Sequence, residues 1–462
     1  MPPVPVAGCR SGEAGLTWGQ GAILRILEML GEEDHTANLG TWSALPRSTM
    51  VSDAVEWIGR LVVGYDALRT RYVTVDGQTH QIVDPAGSLP VEVVELTRPG
   101  RDESEQVVER LKATRFDRAT EWPVRFAVLT RGGVAVRTAF AWSHMVADAW
   151  GMRAFADVLG RLGAPIDPGV QPLDQAAFEA SPAGETMNAR AAEYWRAHLS
   201  AMPATMFPGP SRAPHAGARF WYADFQSPRL AAALPGLARR HGTTTAAVLH
   251  SAIAAAMAAH AGTDRCAMGM VAANRARAGT RAALGSYSQL VPVTLPVGGR
   301  SWTDLIGGAT EAGLLAMRHG AYHPDTWPSV AEAVERDRGE SLEVAQWLND
   351  TRLPMPTPDI PVNPAALPPT GTPDWCRHTD RGDSTVYFFV YGTQGRAGLQ
   401  VMFDTTRISL SEAENLLAGI ERGLVDALGR PHRAALATSI GWSTSAARPS
   451  RNARPDMEDT DA

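Results

Sequence analysis

The chain has 462 residues, and 43 Lys and Arg against 49 Asp and Glu leave a net charge of −6. That balance argues against a nucleic-acid partner, which needs concentrated basic surface, and no run of about 18 apolar residues offers a membrane span. Cys9, Cys266 and Cys376 are too scattered for a disulfide scaffold or a metal site, and the start MPPVPVAGCRSGEAGLTW lacks the basic and apolar blocks of a signal peptide. The expectation is a soluble, cytoplasmic chain of two to three lobes, at roughly 150 residues per domain. Lys112 is the only lysine, which disfavours Schiff-base chemistry.

Apolar residues recur at helical spacing over Trp18–Leu30 and Met50–Val63. From Tyr72 to Leu96 apolar and polar residues alternate about the turn Val75-Asp76-Gly77-Gln78, which predicts strands. Strands Val124–Leu129 and Val134–Trp142 flank a second turn, and a helix follows over Ala149–Leu162. The polar, Pro- and Gly-bearing stretch Pro165–Gly184 reads as a crossover or linker before a helix at Met187–Leu199. Pro-rich Met202–Pro214 marks the lobe boundary, giving a first lobe over residues 1–200 and a second over 201–442. In the second, strand Ala218–Phe225 precedes helices Leu230–Arg240 and Thr244–Ala261, strands Cys266–Ala272 and Gln289–Leu295, and helix Thr303–Arg318. Proline excludes regular structure from Arg352–Asp374, an ordered crossing or a latch. Strands Thr385–Tyr391 and Gly398–Phe403 and helix Ser409–Leu428 close the fold, and a polar tail from about Ser443 is expected to be disordered. Sheet and helices in each half predict two similar α/β lobes.

The segment carrying chemistry is Trp142-Ser143-His144-Met145-Val146-Ala147-Asp148-Ala149-Trp150-Gly151, where an apolar strand ends and a helix begins. A rigid strand end beside a cleft suits a reactive side chain. A neutral imidazole at His144 can take a proton from an attacking amine or alcohol. Asp148 is placed to orient the loop that presents it, and also reads as a helix N-cap.

This segment resembles the HHxxxDG core of nonribosomal peptide synthetase condensation domains, a branch of the chloramphenicol acetyltransferase-like superfamily. The resemblance continues in chain order over about residues 15 to 430. Leu16–Gln20 resembles the family's opening helix, Tyr65–Tyr72 its RHExLRTxF, and Tyr194–Leu199 its YWxxxL. The helix ending at Ala261, strand Cys266–Ala272 and Asn274-Arg275 resemble its "vGtpvaNR" passage, and Gly285–Gln289 occupies its GxFVN position. The resemblance implies two acetyltransferase-like lobes forming a V-shaped pseudo-dimer, with His144 on the floor of a tunnel between them. It implies transfer of an acyl or aminoacyl group from a phosphopantetheine thioester to a small-molecule amine or alcohol, giving an amide or ester. No metal or bound cofactor is implied; the donor arrives on an acyl or peptidyl carrier protein, and the internal pseudo-dimer makes a monomer the expectation. With no neighbouring synthetase module in the sequence, a free-standing enzyme meeting its carrier in trans is expected.

The resemblance makes His144 and Asp148 the catalytic pair. Ser143, Ala149, Trp150, Gly151, Tyr287, Ser288 and Gln289 are assigned to the substrate tunnel, with Trp150 expected to serve lobe packing more than substrate contact. Ser143 stands where the family has its first His, and Ala149 where it has Gly, a substitution that strains the loop if φ is positive there. Gln289, Leu290 and Thr294 align with the family's Asn-Thr and distal Arg, so Arg69 is taken as the stand-in partner of Asp148. Arg153 and Arg161, on the helix after the motif, are candidates for carrier docking or for a plain solvated face. These departures leave a second reading open, a catalytically inactive platform recruiting carrier proteins or tailoring enzymes. A soluble acyl-CoA acyltransferase of the same superfamily is disfavoured, because its DFGWG motif is missing.

Overall fold

Alternation and turn chemistry build a first half of small sheets. The computed structural model describes residues 3–8, 10–97, 100–352, 363–393 and 396–436. In chain order this half holds β1 (Val4–Ala7), β2 (Gly12–Gly15), α1 (Trp18–Leu30), β3 (Leu39–Thr49), α2 (Val51–Gly64), β4 (Thr70–Val75), β5 (Gln78–Val83), β6 (Ala86–Leu89) and β7 (Val91–Glu95). Then come α3 (Asp102–Lys112), β8 (Val124–Arg131), β9 (Val134–Trp142), α4 (Ala149–Leu159), α5 (Pro172–Glu179) and α6 (Pro182–Ala201). The β4–β5 hairpin turns through Asp76 (φ 51°) and Gly77 (φ 78°), the left-handed pair that a two-residue turn between twisted strands requires.

A four-stranded sheet of order β3-β9-β8-β7 anchors this half. Phe126, Phe140 and Trp142 on one face pack with Trp57 and Leu61 of α2 and Phe155 of α4, and Ala127, Leu129 and Ala139 on the other pack with Val107, Val108 and Leu111 of α3. The sheet is therefore sandwiched, and the motif leaves the end of β9 on its covered face.

The second half holds β10 (Phe220–Ser227), α7 (Pro228–His241), α8 (Thr245–Ala261), β11 (Arg265–Ala272), β12 (Gln289–Pro296), α9 (Trp302–Arg318) and α10 (Thr326–Arg338). β13 (Gln346–Asp350), β14 (Asp374–Thr379), β15 (Val386–Thr393), β16 (Arg396–Asp404) and α11 (Leu410–Gly429) complete it. Seven strands pair in the order β12-β11-β13-β15-β16-β10-β14, with β13 parallel to both neighbours. One face of this sheet is buried under α7, α8, α9 and α11 in a large core, to which Trp195 and Leu199 of α6 also belong. α8 is buried from Val248 to Ala259, as a helix apolar on all sides must be.

The stretch Pro165–Gly184 is not a plain linker, because it contains α5 and the start of α6. Pro172 and Pro182 open those helices at their first turn, where a missing N–H costs nothing. Within Arg352–Asp374, residues 353–362 lie outside the described residues, and 363–374 hold only a short 3₁₀ turn, Pro364–Ala366, before β14. Cys9 and the tail from Ser443 also lie outside the described residues. No single helix among the described residues is long and apolar enough to cross a membrane.

Candidate active site

The loop after β9 folds back on itself at once. Ser143 N–H donates to the Pro123 carbonyl at 3.0 Å and Val146 N–H to the Ser143 carbonyl at 2.9 Å. Ser143 is 2% exposed, and its Oγ accepts from Met145 N–H at 3.4 Å, so it closes the turn rather than facing a substrate. Met145 is held from below, where Tyr72 Oη donates to its carbonyl at 3.0 Å.

Asp148 ends the loop and starts α4, as an N-cap whose Oδ1 accepts from Gly151 N–H at 2.9 Å. The same Oδ1 accepts from Arg275 Nη2 at 2.7 Å. Oδ2 accepts from Tyr287 N–H at 3.1 Å, Ser288 N–H at 3.1 Å and Ser288 Oγ at 2.9 Å. Ser286 Oγ adds a bond to the His144 carbonyl at 2.7 Å. A first-half loop is thus clamped to the segment leading into β12. None of the Asp148 hydrogen bonds goes to the imidazole, so Asp148 fixes the loop and reaches the ring only through its charge.

His144 is half-buried, and its Nδ1 is sealed off without a well-formed hydrogen bond among the described residues, which leaves Nε2 as the accessible ring nitrogen. Burial pushes the imidazole below its ordinary pKa; the backbone of His144 and Ala147 and the Asp148 carboxylate pull the other way without cancelling it. The ring is neutral at pH 7 and able to accept a proton.

Arg69 is not the partner of Asp148. It is fully buried in the first half, paired with Asp66 at 2.7 Å and donating to the Val62 carbonyl at 2.9 Å. The cation on Asp148 is Arg275, which sequence reasoning quoted as part of a motif without giving it this role. Arg275 also donates to the carbonyls of Thr280 and Ala283, each at 2.8 Å, and lies 4.7 Å over the Tyr287 ring. The Asn-Arg pair straight after an apolar strand was the available signal.

Ala149 is the first residue of α4 and is not among the positive-φ residues, so the strain considered for it does not arise. The glycine that matters is Gly151, where a Cβ would lie 2.9 Å from the Ala147 Cβ and 3.3 Å from Arg275 Nη2. Trp150 is 36% exposed. Tyr287 is buried, Ser288 half-buried, and Gln289 is buried with its amide donating to the Tyr322 carbonyl at 2.8 Å. Thr294 instead bonds His198, N–H to Nδ1 at 2.9 Å. Arg153 donates to the Thr351 carbonyl at 2.6 Å, tying α4 to the end of β13 rather than presenting a free charge, whereas Arg161 is exposed beside Asp157 at 3.9 Å.

The family model "Condensation domain" matches residues 47–326. Malpinin synthetase of Mortierella alpina is 25% identical over 329 residues, 66% of this chain and 4% of that protein. Phosphinothricin tripeptide synthetase PhsB of Streptomyces viridochromogenes is 28% identical over 259 residues, 52% of this chain and 21% of that one. The chain thus spans a small part of these curated relatives. Among solved structures, the condensation domain of the monacolin K polyketide synthase MokA aligns with a TM-score of 0.68 at 15% identity, covering 92% of this chain and 99% of that one. SgcC5 of Streptomyces globisporus aligns with a TM-score of 0.68 at 17% identity, covering 90% and 99%. The two-lobed acetyltransferase-like fold is therefore shared, and the chain belongs to the condensation-domain family, the amide- or ester-forming acyl-transfer domains of nonribosomal peptide and related synthetases that work with carrier domains.

Proposed function

We propose that this chain is an active condensation enzyme that transfers an acyl or aminoacyl group from a carrier protein's phosphopantetheine thioester to an amine or alcohol. The observation that carries the reading is a His144 ring kept neutral by burial, on a loop whose far end is fixed by five donors to one carboxylate. In the reaction, the nucleophile's lone pair adds to the thioester carbonyl while His144 Nε2 takes its proton. The tetrahedral adduct collapses with cleavage of the C–S bond, and the departing pantetheine sulfur recovers the proton. The thioester supplies the driving force, and holding two reactants together is worth roughly 7–11 kcal/mol of barrier when geometry is right. The rigid clamp around Asp148 serves that positioning.

One observation favours the platform alternative: the first motif position is Ser143, whose side chain is spent on the turn. The deciding experiment supplies acyl-pantetheine and carrier-bound thioesters with mixed amines and alcohols and follows thiol release with mass spectrometry. A new amide or ester supports the enzyme. Tight carrier binding with no thioester consumed supports the platform.

A further inference from the structure

Alternation along the second-half sheet separates two populations of side chains. Val386, Phe388 and Val390 of β15 enter the core, so Tyr387, Phe389 and Tyr391 lie on the opposite face. That face carries an aromatic floor. Trp347 lies over Gly269, where a Cβ would fall 1.8 Å from its ring, and Tyr391 lies over Gly398 at 2.3 Å by the same measure. Tyr387 and Phe389 stack with centroids 4.1 Å apart and planes 21° apart, and both remain half-buried rather than covered.

The row that starts at Phe389 ends in charge. Phe389 pairs with Gln400, Gln400 with Asp224, and Asp224 with Asp374 on the edge strand β14. Asp224 accepts from Tyr391 Oη and from Gln226 Nε2, the latter at 3.1 Å. Among the described residues neither carboxylate forms an ion pair, and the Arg377 guanidinium on the same edge is instead stacked 3.8 Å over the Tyr222 ring. Like charges directly opposite on paired strands are destabilising, so this edge is complementary to a cation. Two strand spacings, roughly 10 Å, separate Phe389 from Asp224. Phe389 is the part of this floor that lies toward the catalytic end of the sheet. Phe389 pairs with Asn349, two residues before the Thr351 carbonyl that Arg153 of α4 holds, and the Asp148-bound Ser288 immediately precedes β12.

We propose that this face is a substrate subsite for a planar aromatic group with a cationic amine at its far edge, the ring seated on Phe389 and Tyr387 and the amine against Asp224 and Asp374. The proposal rests on the condensation reading for which reactant brings the group: an aryl acyl donor and an aryl amine acceptor share the same chemistry.

The test reads binding, not turnover, so it stands apart from any failure of catalysis. Calorimetric titration of the full chain uses the amide analogue of 4-(aminomethyl)benzoyl-pantetheine as the donor arm and 4-(aminomethyl)benzyl alcohol as the acceptor arm. The controls are their 4-ethyl and cyclohexyl counterparts. At least one cationic aryl probe is expected to bind about tenfold tighter than both controls, the order of one charge-assisted contact, and the arm that does so identifies the reactant. Asp224→Asn should erase the preference over the ethyl control, and Phe389→Leu the preference over the cyclohexyl control, each with an unchanged melting profile. If Phe389→Leu does not fold, Tyr387→Leu reads the same contact. Equal binding of probes and controls, binding indifferent to these substitutions, or no binding by any probe would overturn the proposal.

Discussion

Arg275 Nη2 lies 2.7 Å from Asp148 Oδ1, with the two side chains 6% and 3% exposed, and this ion pair joins the motif loop of the first half to the strand-end segment of the second. A buried pair of this kind contributes little over an apolar alternative, but breaking it strands a charge. Arg275→Ala is therefore expected to lower stability by about 3–5 kcal/mol. Arg275→Lys should recover only part of that, because one ammonium cannot reproduce a planar fork that serves Asp148 and the carbonyls of Thr280, Ala283 and Gly285 together. Urea midpoints of the three proteins check this.

Gly19 tests how closely α1 is fitted to the site. A Cβ there would fall 1.9 Å from the Ser286 carbonyl oxygen, in the segment that holds Asp148 and the His144 carbonyl. Gly19→Ala should lower stability by roughly 1–3 kcal/mol through overpacking. Gly307, inside α9, has nothing within 4 Å of the same position. There the same change should raise stability by about 0.5–1 kcal/mol through helix propensity. Thermal unfolding of both variants gives opposite signs if the packing is as described.

Much of this arrangement was legible in the sequence, and the exceptions have physical causes. The amphipathic helices, the Asp76-Gly77 hairpin and the strand-end position of His144 follow from periodicity and turn chemistry. β3 was missed because Pro46 and a positive φ at Ser48 interrupt its alternation. β13 is five residues, QWLND, too short to show a period. α3 is mostly charged and shows the core only Val107, Val108 and Leu111 among its apolar residues. The Asp148–Arg275 pairing spans 127 residues, and no local pattern reports such a contact.

His250 sets an acid limit on stability. It is fully buried in α8, both ring nitrogens lack partners among the described residues, and burial pushes its pKa down to about 4. Below its unfolded value of 6.5 the unfolded chain takes up a proton that the folded chain refuses. Stability is therefore full above pH 6.5 and falls until about pH 4, by an amount on the order of 3 kcal/mol. His250→Leu removes the unpaired nitrogens. It should raise stability and flatten the decline across that window, as read by denaturation at stepped pH.

The His144 ring should report itself in the pH dependence of the rate. With its pKa held down by burial, it stays neutral and able to accept a proton to values below 6.5. The acid limb of kcat/KM is expected to have an apparent pKa below 6.5. A limb above that value would assign the titration to another group.

The central claim is that His144 takes part in bond formation while the clamp on Asp148 only holds it in place. The most direct measurement is product formation by mass spectrometry from one carrier-bound thioester and its accepted amine, comparing wild type with His144→Ala at equal folded concentration. The account predicts loss of product with an unchanged circular dichroism spectrum and melting temperature. Undiminished turnover by the folded His144→Ala protein would contradict it.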